Sequence, residues 1–392
     1  MIFNSKEIYL DNAAATKPSD GVIFEIQKTL SKSYANASSI HRMGFESSKI
    51  IKKARENIAQ MLGCKESEIY FTSGGTEANN LAILGTAARF KSKRANKIIT
   101  TEFEHHSVLF PCKKLESDGF EVVFLKPDEN GDISSDEILN AIDERTILVS
   151  MMMVNNEIGS CLSLQNVKNM IVQKRSKAIF HVDAAQSFCK IPTKVSKLKC
   201  DLLTTTAHKV HGPQGIGALF CSEKIKISPI NFGGKQQNSL RPGTECTALI
   251  SGFSKAVEEA CDFENSFEKV RKLYEECKNS LLKINGIKMN IASNSFPYIL
   301  NLSIPGVKNE VLLNFLSSNN IFISSSSACA KGNRSHVLKS IGLSRDRIDS
   351  AVRVSFSKNN TSEEIKRFID VLEKGVDAIK NKETNNAMNC LN

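Results

Sequence analysis

Four short stretches of this 392-residue chain hold reactive side chains where apolar runs end. In "FTSGGTEANN" a β-rich run turns on Gly74 and Gly75 and opens a helix at Thr76. Backbone N–H groups at a helix start, with a threonine hydroxyl beside them, make a seat for an anion such as phosphate. A plain capping turn with Thr76 as N-cap explains the same residues. "HVDAAQS" sets Asp183 at the exit of an apolar run, where a carboxylate needs a partner or caps the next helix. "TTTAHKVHGPQGIGALF" sets Lys209 in a turn of hydroxyls, histidine and glycine. A lysine hemmed in there gives up its proton more easily and can attack a carbonyl, whereas a lone loop lysine is simply solvated. "EFEHHSVL" offers His105 and His106, which face opposite sides of an extended segment, so one ring can stack while the other turns away.

Together these residues answer one chemical requirement. Pyridoxal phosphate needs a cup for its phosphate, a carboxylate opposite its pyridine nitrogen, a lysine for its aldehyde and a group stacked on its ring. Gly75 with Thr76, Asp183, Lys209 and His105 supply those four. Zinc is a poorer fit to these histidines or to His208 and His211: no H-E-x-x-H arrangement occurs, and His208 is needed beside the lysine.

A fifth stretch, "FISSSSACAKGNRSHVL" at 322–338, places Cys329 behind four serines. The chain has eleven cysteines, an odd total with no C-x-x-C pair, which argues against a complete disulfide framework or a zinc ribbon. Most, such as Cys64, Cys112, Cys221 and Cys261, lie within or beside apolar segments and read as small hydrophobes. Cys329 differs. "IFI" before it reads as a strand, and "SHVLKSIGL" after it as a short helix capped by Ser335 and ended at Gly342. The residues between are small and polar with no apolar anchor, which suits a thiol carried between two places.

The elements that must position these groups alternate. Strands are expected at 69–73, 97–101, 121–125, 146–151, 178–182, 201–206 and 215–220, with amphipathic helices at 76–91, 134–144 and 163–175. Near-continuous apolar strands alternating with helices give a mostly parallel sheet covered on both faces, with ligands beyond the strands' carboxyl ends. A long helical region follows at about 250–284, then strands at 298–304, 321–325 and 351–357 and helices near 309–319 and 361–379, a smaller α+β domain. The polar tail from 381 is expected to fray.

Composition excludes several classes. Hydrophobic content of 41% and charged content of 24% are those of a globular chain. No apolar run approaches the roughly 20 residues needed to cross a bilayer, and the N-terminus lacks a signal-peptide pattern, so a cytoplasmic protein is expected. The net charge of +10 is scattered along helices without basic runs or interleaved aromatics, so no direct nucleic-acid site is expected.

"YLDNAAAT", "YANASSIH", "SGGTEANN", "TEFEHHSV", "VNNEIG", "HVDAAQ", "HKVHGPQGIGAL", "LRPGTE" and "SSSSAC…SHVL" run in one order from residue 9 to about 357. This ordered set resembles the pyridoxal-phosphate-dependent cysteine desulfurases of the NifS/IscS type, in the class-V aminotransferase superfamily. The resemblance implies a fold-type I α/β homodimer. Its large domain, 15–260, would hold a mostly parallel seven-stranded sheet, and its small α+β domain would combine 1–14 with 261–392 and carry the cysteine loop, about 324–335. It implies Lys209 as the cofactor-bonding lysine, Asp183 on the pyridine nitrogen and His105 stacked on the ring. Asn155 and Gln186 would meet the ring hydroxyl. Gly75, Thr76, Thr206 and His208 would hold the phosphate, with Thr244 reaching in from the other subunit. Asn36 and Arg353 match the positions that grip the substrate carboxylate, a task suited to a bidentate guanidinium.

The same resemblance implies the reaction. L-cysteine displaces Lys209 from the cofactor, Cys329 attacks the substrate sulfur as thiolate, and a persulfide and alanine result, with His105 as acid–base helper. The persulfide then passes to an acceptor protein, an iron–sulfur scaffold or a tRNA-thiolation enzyme. Ser326 stands where relatives carry glycine, the segment from Cys329 to Ser335 is shorter than in members serving iron–sulfur scaffolds, Asn238 replaces a basic residue and Ala37 a proline. These departures bear on the acceptor, and the shortened segment favours tRNA thiolation. The rival readings are a selenocysteine lyase, a related aminotransferase and, outside the enzymes, a cofactor-binding scaffold.

Overall fold

A computed structural model describes residues 7–90, 92, 95–290, 294–326 and 334–389. Its strands among these residues are β1 (Ile8–Tyr9), β2 (Ile69–Thr72), β3 (Lys97–Thr101), β4 (Glu121–Leu125), β5 (Thr146–Met152), β6 (Ile179–Asp183), β7 (Leu202–Thr206), β8 (Gly217–Cys221), β9 (Lys288–Met289), β10 (Ile299–Ser303), β11 (Ile321–Phe322), β12 (Ser324–Ser325) and β13 (Ala351–Ser355). The seven expected strands of the first half form one sheet in the order β2-β8-β7-β6-β5-β3-β4. Neighbours from β7 to β4 are parallel, and β8 alone runs against both β7 and β2. Six strands therefore end on one edge.

Consecutive residues of these strands face opposite cores. Ile98, Leu148, Ile179 and Leu202 join one apolar cluster with Ala78, Leu81, Val108 and Cys112, from the helices Gly75–Phe90 and His106–Ser117. Ile99, Val149, Phe180 and Leu203 join the other. Both faces are thus covered, and the apolar content of the strands has a use on each side.

The second half builds an antiparallel sheet, β12-β13-β10-β9, as expected of an α+β unit. Two elements differ from the sequence reading. The strand expected at 321–325 divides at Ile323: Ile321 and Phe322 pair with β1, Ser324 and Ser325 with β13. The helical region about 250–284 is two helices, Thr247–Glu259 and Phe263–Leu281. The first packs on the helices Asp20–Lys32 and Arg42–Leu62, the second on β10 and the helix Ser362–Asn389, so the break lets each face its own neighbours. That last helix runs on through 381–389, where fraying was expected. No helix of the described residues is long and apolar enough to cross a membrane.

The N-terminal segment ties the two sheets together. Asn12 and Ala13 donate to the Ser355 carbonyl and hydroxyl at 3.0 and 2.9 Å, at the end of β13. Thr16 N–H donates to the His208 carbonyl at 2.8 Å, just beyond β7.

Gly85 marks a close approach inside the first sheet's cover. A Cβ there would meet the Ser228 carbonyl oxygen at 2.5 Å, and Ser228 N–H already bonds the Gly85 carbonyl. Alanine improves helix propensity by about 1 kcal/mol, but forcing the backbones apart costs about 1–3 kcal/mol. Gly85→Ala is expected to lower the urea midpoint, read by circular dichroism; a raised midpoint would show that the contact yields freely.

Candidate active site

The site lies where β2, β3, β5, β6 and β7 end. Asp183, the last residue of β6, is only 5% exposed. Its Oδ1 accepts from Ala185 N–H at 2.9 Å and its Oδ2 from Asn79 Nδ2 at 2.7 Å. The local turn to Ala185 is the capping geometry expected of an aspartate there, and the second oxygen is held by a different helix. Asn79 also donates to Ser107 Oγ at 2.8 Å, and Ser107 Oγ lies 2.8 Å from His105 Nδ1. Asp183 and His105, assigned to opposite parts of one cofactor, are therefore joined by two intermediates.

Gly75 follows the turn at Gly74, whose φ of +155° favours glycine. A Cβ on Gly75 would stand 3.8 Å from Thr206, so the start of the helix Gly75–Phe90 lies against the end of β7. There Thr206 Oγ1 and His208 Nδ1 are 2.9 Å apart. Burial, with Lys209, Lys190 and His105 adding repulsion, pulls the His208 imidazolium down to about 4, so this ring is neutral near pH 7. The backbone turn, the Thr206 hydroxyl and the imidazole of His208 are groups from which a phosphate seat can be built.

Lys209 Nζ donates to the Ala13 and Ala14 carbonyls at 2.5 and 2.6 Å. Gln186 Nε2 donates to the same Ala13 carbonyl at 3.0 Å, while Gln186 Oε1 is buried without a partner. Arg353, 3% exposed on β13, donates from Nη1 to the Asn156 carbonyl and from Nη2 to Asp11 Oδ1, both at 2.8 Å. Its Nε is buried and unpartnered. One buried acceptor and one buried donor are thus left open, an arrangement that costs free energy unless a ligand completes it. A hydroxylated pyridine and a carboxylate supply the missing partners, so the residues present fit pyridoxal phosphate and an amino acid.

Other expected residues stand differently. Asn155 Oδ1 accepts from the Glu157 and Ile158 N–H groups and its Nδ2 donates to the Phe103 carbonyl, so its amide shapes its own turn. Asn36 is exposed, its Oδ1 accepting from Ser38 N–H at 2.9 Å, and no hydrogen bond among the described residues joins it to Arg353. Thr244 is exposed, in the segment before the helix Thr247–Glu259. Cys329 lies outside the described residues. The chain on either side of it is anchored: Ser326 Oγ accepts from Asn301 Nδ2 at 2.7 Å, and Ser335 Oγ donates to Glu157 Oε2 at 2.5 Å. Ser335 also caps its helix as expected, accepting from Leu338 N–H at 3.0 Å, and Gly342 beyond it has φ +78°. Asn301 Nδ2 reaches the Glu157 carbonyl at 3.1 Å, so both anchors converge on one point.

Asn79, Ser107, Asp11, Glu157 and Asn301 were not singled out by sequence reasoning. The first four stand inside the motifs that were read, at positions whose partners come from distant motifs. Asn301 carries no local signal: it is a polar residue in the middle of an apolar strand.

The model of the class-V aminotransferase family matches residues 8–368. Over 371 residues the chain is 40% identical to IscS 1 of Bacillus subtilis (strain 168), covering 92% of this chain and 96% of that protein. It is 37% identical over 386 residues to the cysteine desulfurase IscS of Methanosarcina thermophila, covering 96% and 94%. Among solved structures, a NifS-like protein superposes with a TM-score of 0.89 at 34% identity, covering 94% of this chain and 99% of that one.

Glu104, next to His105, is fully buried, with Oε1 accepting from Met152 N–H at 2.8 Å and Thr101 Oγ1 at 2.9 Å, and Oε2 without a partner. Burial, with Asp183 adding repulsion, pushes its carboxyl from the ordinary 4.5 up to about 8, against the pull of those two donors. Between these values the folded chain holds a proton that the unfolded chain has lost, so stability falls as pH rises through that window. Glu104→Gln removes the fall. Unfolding free energies of the cofactor-free protein, from urea titrations, are expected to favour the variant increasingly from pH 5 to pH 8, by about 3–5 kcal/mol in all. A constant difference across that range would show that Glu104 is ionised when folded.

Proposed function

This chain belongs to the class-V aminotransferase family, pyridoxal-phosphate-dependent enzymes among which its relatives are cysteine desulfurases, and from that membership we propose that it is itself a cysteine desulfurase. The observation that carries the reading is the meeting of a buried carboxylate, Asp183, an amine, Lys209, and a phosphate seat at Gly75, Thr206 and His208 on one sheet edge.

Each residue then has a task. Lys209 would hold the cofactor through its aldehyde, and as a free amine it would be placed to move protons at the substrate Cα. Asp183 would hold the pyridine nitrogen, His105 would cover the ring, and Gln186 would meet the ring hydroxyl through its open Oε1, with Asn155, whose amide is spent on its own turn, shaping the wall there. Gly75, Thr76, Thr206 and His208 hold the phosphate. Arg353 takes the substrate carboxylate through the edge that Asp11 and Asn156 leave open, with Asn36 beside it. Bound there, pyridoxal phosphate supplies the electron sink for charge released at Cα. Cys329, as thiolate, attacks the substrate sulfur: an S–S bond forms, the C–S bond breaks, and its electron pair returns to the carbon skeleton that leaves as alanine. The sulfur remains on Cys329 as a persulfide, to be passed to an acceptor protein, a tRNA-thiolation enzyme or an iron–sulfur scaffold, in the cytoplasm.

A homodimer completes the phosphate seat. Thr244 is exposed, which suits a residue delivered to a second subunit. Phe24, Leu30, Tyr34, Ile40 and Phe45 are more than half exposed, on and between the helices Asp20–Lys32 and Arg42–Leu62, an apolar area of the kind that a subunit covers. The division into a large domain, 15–260, and a small one, 1–14 with 261–392, places the N-terminal crossing at their junction.

Two variants test the reading. Lys209→Ala is expected to abolish the visible absorption of lysine-linked cofactor; a band that borohydride still fixes to the chain would sink the assignment. Cys329→Ser is expected to bind cofactor normally yet form no persulfide, and single-turnover alanine production at the parent's rate would remove Cys329 from the reaction.

A further inference from the structure

His105 does more than follow β3: it is the N-cap of the helix His106–Ser117. Its backbone is extended, with φ −62° and ψ 150°, and its Nδ1 accepts from Ser107 N–H at 3.1 Å. A backbone N–H can only donate, so Nδ1 must present a lone pair. The hydroxyl of Ser107 settles the matter further. Its oxygen already accepts from Asn79 Nδ2 at 2.8 Å, so its proton is free to point at Nδ1, also 2.8 Å away.

The orientation of the Asn79 amide is not arbitrary. Its Nδ2 lies 2.7 Å from Asp183 Oδ2, and the flipped amide would set two acceptor oxygens against each other there. Both amide hydrogens are therefore committed, one to Asp183 and one to Ser107, which leaves Asn79 Oδ1 as a buried acceptor without a partner. That cost is accepted for an interaction worth more, since a bond to a charged carboxylate is about twice as strong as a neutral one.

We propose that Asn79 and Ser107 are positioning residues that lock His105 as a neutral imidazole with its proton on Nε2, so that it meets the substrate sulfur as a hydrogen-bond donor rather than as a base. Two further features favour the neutral ring. Burial, outweighing the attraction of Asp183, pulls the imidazolium down, with Lys209 and His106 repelling it. The amino end of a helix disfavours a cation in the same way. Protonating Nδ1 would break both bonds from Ser107 and uncap the helix. In the sulfur transfer itself the thiol proton stays on the transferred sulfur, the Cys329 thiolate becomes the inner sulfur of the persulfide, and the C–S electron pair stays with the carbon skeleton.

This inference rests on the reading of the chain as a desulfurase with His105 at the substrate. It is tested without turnover, by ring-nitrogen NMR of holoenzyme and cofactor-free protein carrying 15N-histidine, with His105 assigned by the loss of its signals in His105→Gln. The expected result is one protonated ring nitrogen, Nε2, at neutral pH in both forms. A protonated Nδ1, or an imidazolium at pH 7, would overturn it. Ser107→Ala and Asn79→Ala are each expected to raise the His105 titration midpoint by about one pH unit, because Nδ1 regains basicity as donors are withdrawn. Unchanged midpoints in both folded variants would reduce the pair to packing. The wild-type spectrum decides even where a variant fails to fold. Absence of alanine formation alongside the expected spectrum would sink the desulfurase reading and leave the lock standing.

Discussion

A carboxylate buried at the end of an apolar strand is the constraint on which the rest of this site depends. Asp183 follows Ile179–Val182, all buried, and such a group is tolerated only when donors meet it. One comes from its own turn, at Ala185. The other comes from Asn79, the fifth residue of the helix that follows β2, and this second bond fixes how that helix sits over β6. The same helix carries Gly75 against Thr206. Satisfying one carboxylate thus places the candidate phosphate seat, and through Ser107 it also sets the imidazole of His105. Three motifs far apart in sequence share one polar spine.

The N-terminal segment supplies the second condition. Its carbonyls at Ala13 and Ala14 receive Lys209, its Asp11 receives Arg353, and its backbone binds both the end of β13 and the residue beyond β7. A guanidinium so deeply buried needs a fixed anion. Asp11 gives it one while leaving Nε open, so the guanidinium is fixed in place by the fold itself. Preorganisation of this kind lets binding energy go into orientation rather than into gathering the side chain.

The sequence made the sheet legible because its strands are apolar on both faces and separated by helices. The seven ranges expected for the first half agree with those observed to within a residue or two, and the residues singled out after β2, β3, β6 and β7 all lie on the edge where those strands end. The break at Ile323 was not legible: one β-rich run is shared between two sheets, and local propensity carries no record of which partner each residue pairs with. Lys209, Asp183 and Gly75 were visible because their residue types are unusual at strand ends. Asn79 and Ser107 were not, because asparagine and serine near a helix start have ordinary capping explanations. Their roles depend on what three other motifs bring to them in space.

The remaining feature is a crowd of basic groups held short of full charge. Lys190 is buried against the rings of Tyr298 and Phe296, at 5.3 and 6.0 Å, and shares a cavity with Lys209. Burial, with Lys209 repelling it, lowers its amine to about 7. His208 is lowered to about 4 by burial and these same amines. Lys190 and His208 are thus held short of full charge, since burial and each neighbouring cation raise the cost of adding a proton. A phosphate beside Thr206 and a carboxylate at Arg353 reverse that balance, because each anion lowers the cost of protonating the amines around it. The two anionic ends of the proposed cofactor and substrate are therefore not just accommodated. They complete an electrostatic arrangement that the folded chain leaves unfinished, as Gln186 and Arg353 leave their hydrogen bonds unfinished.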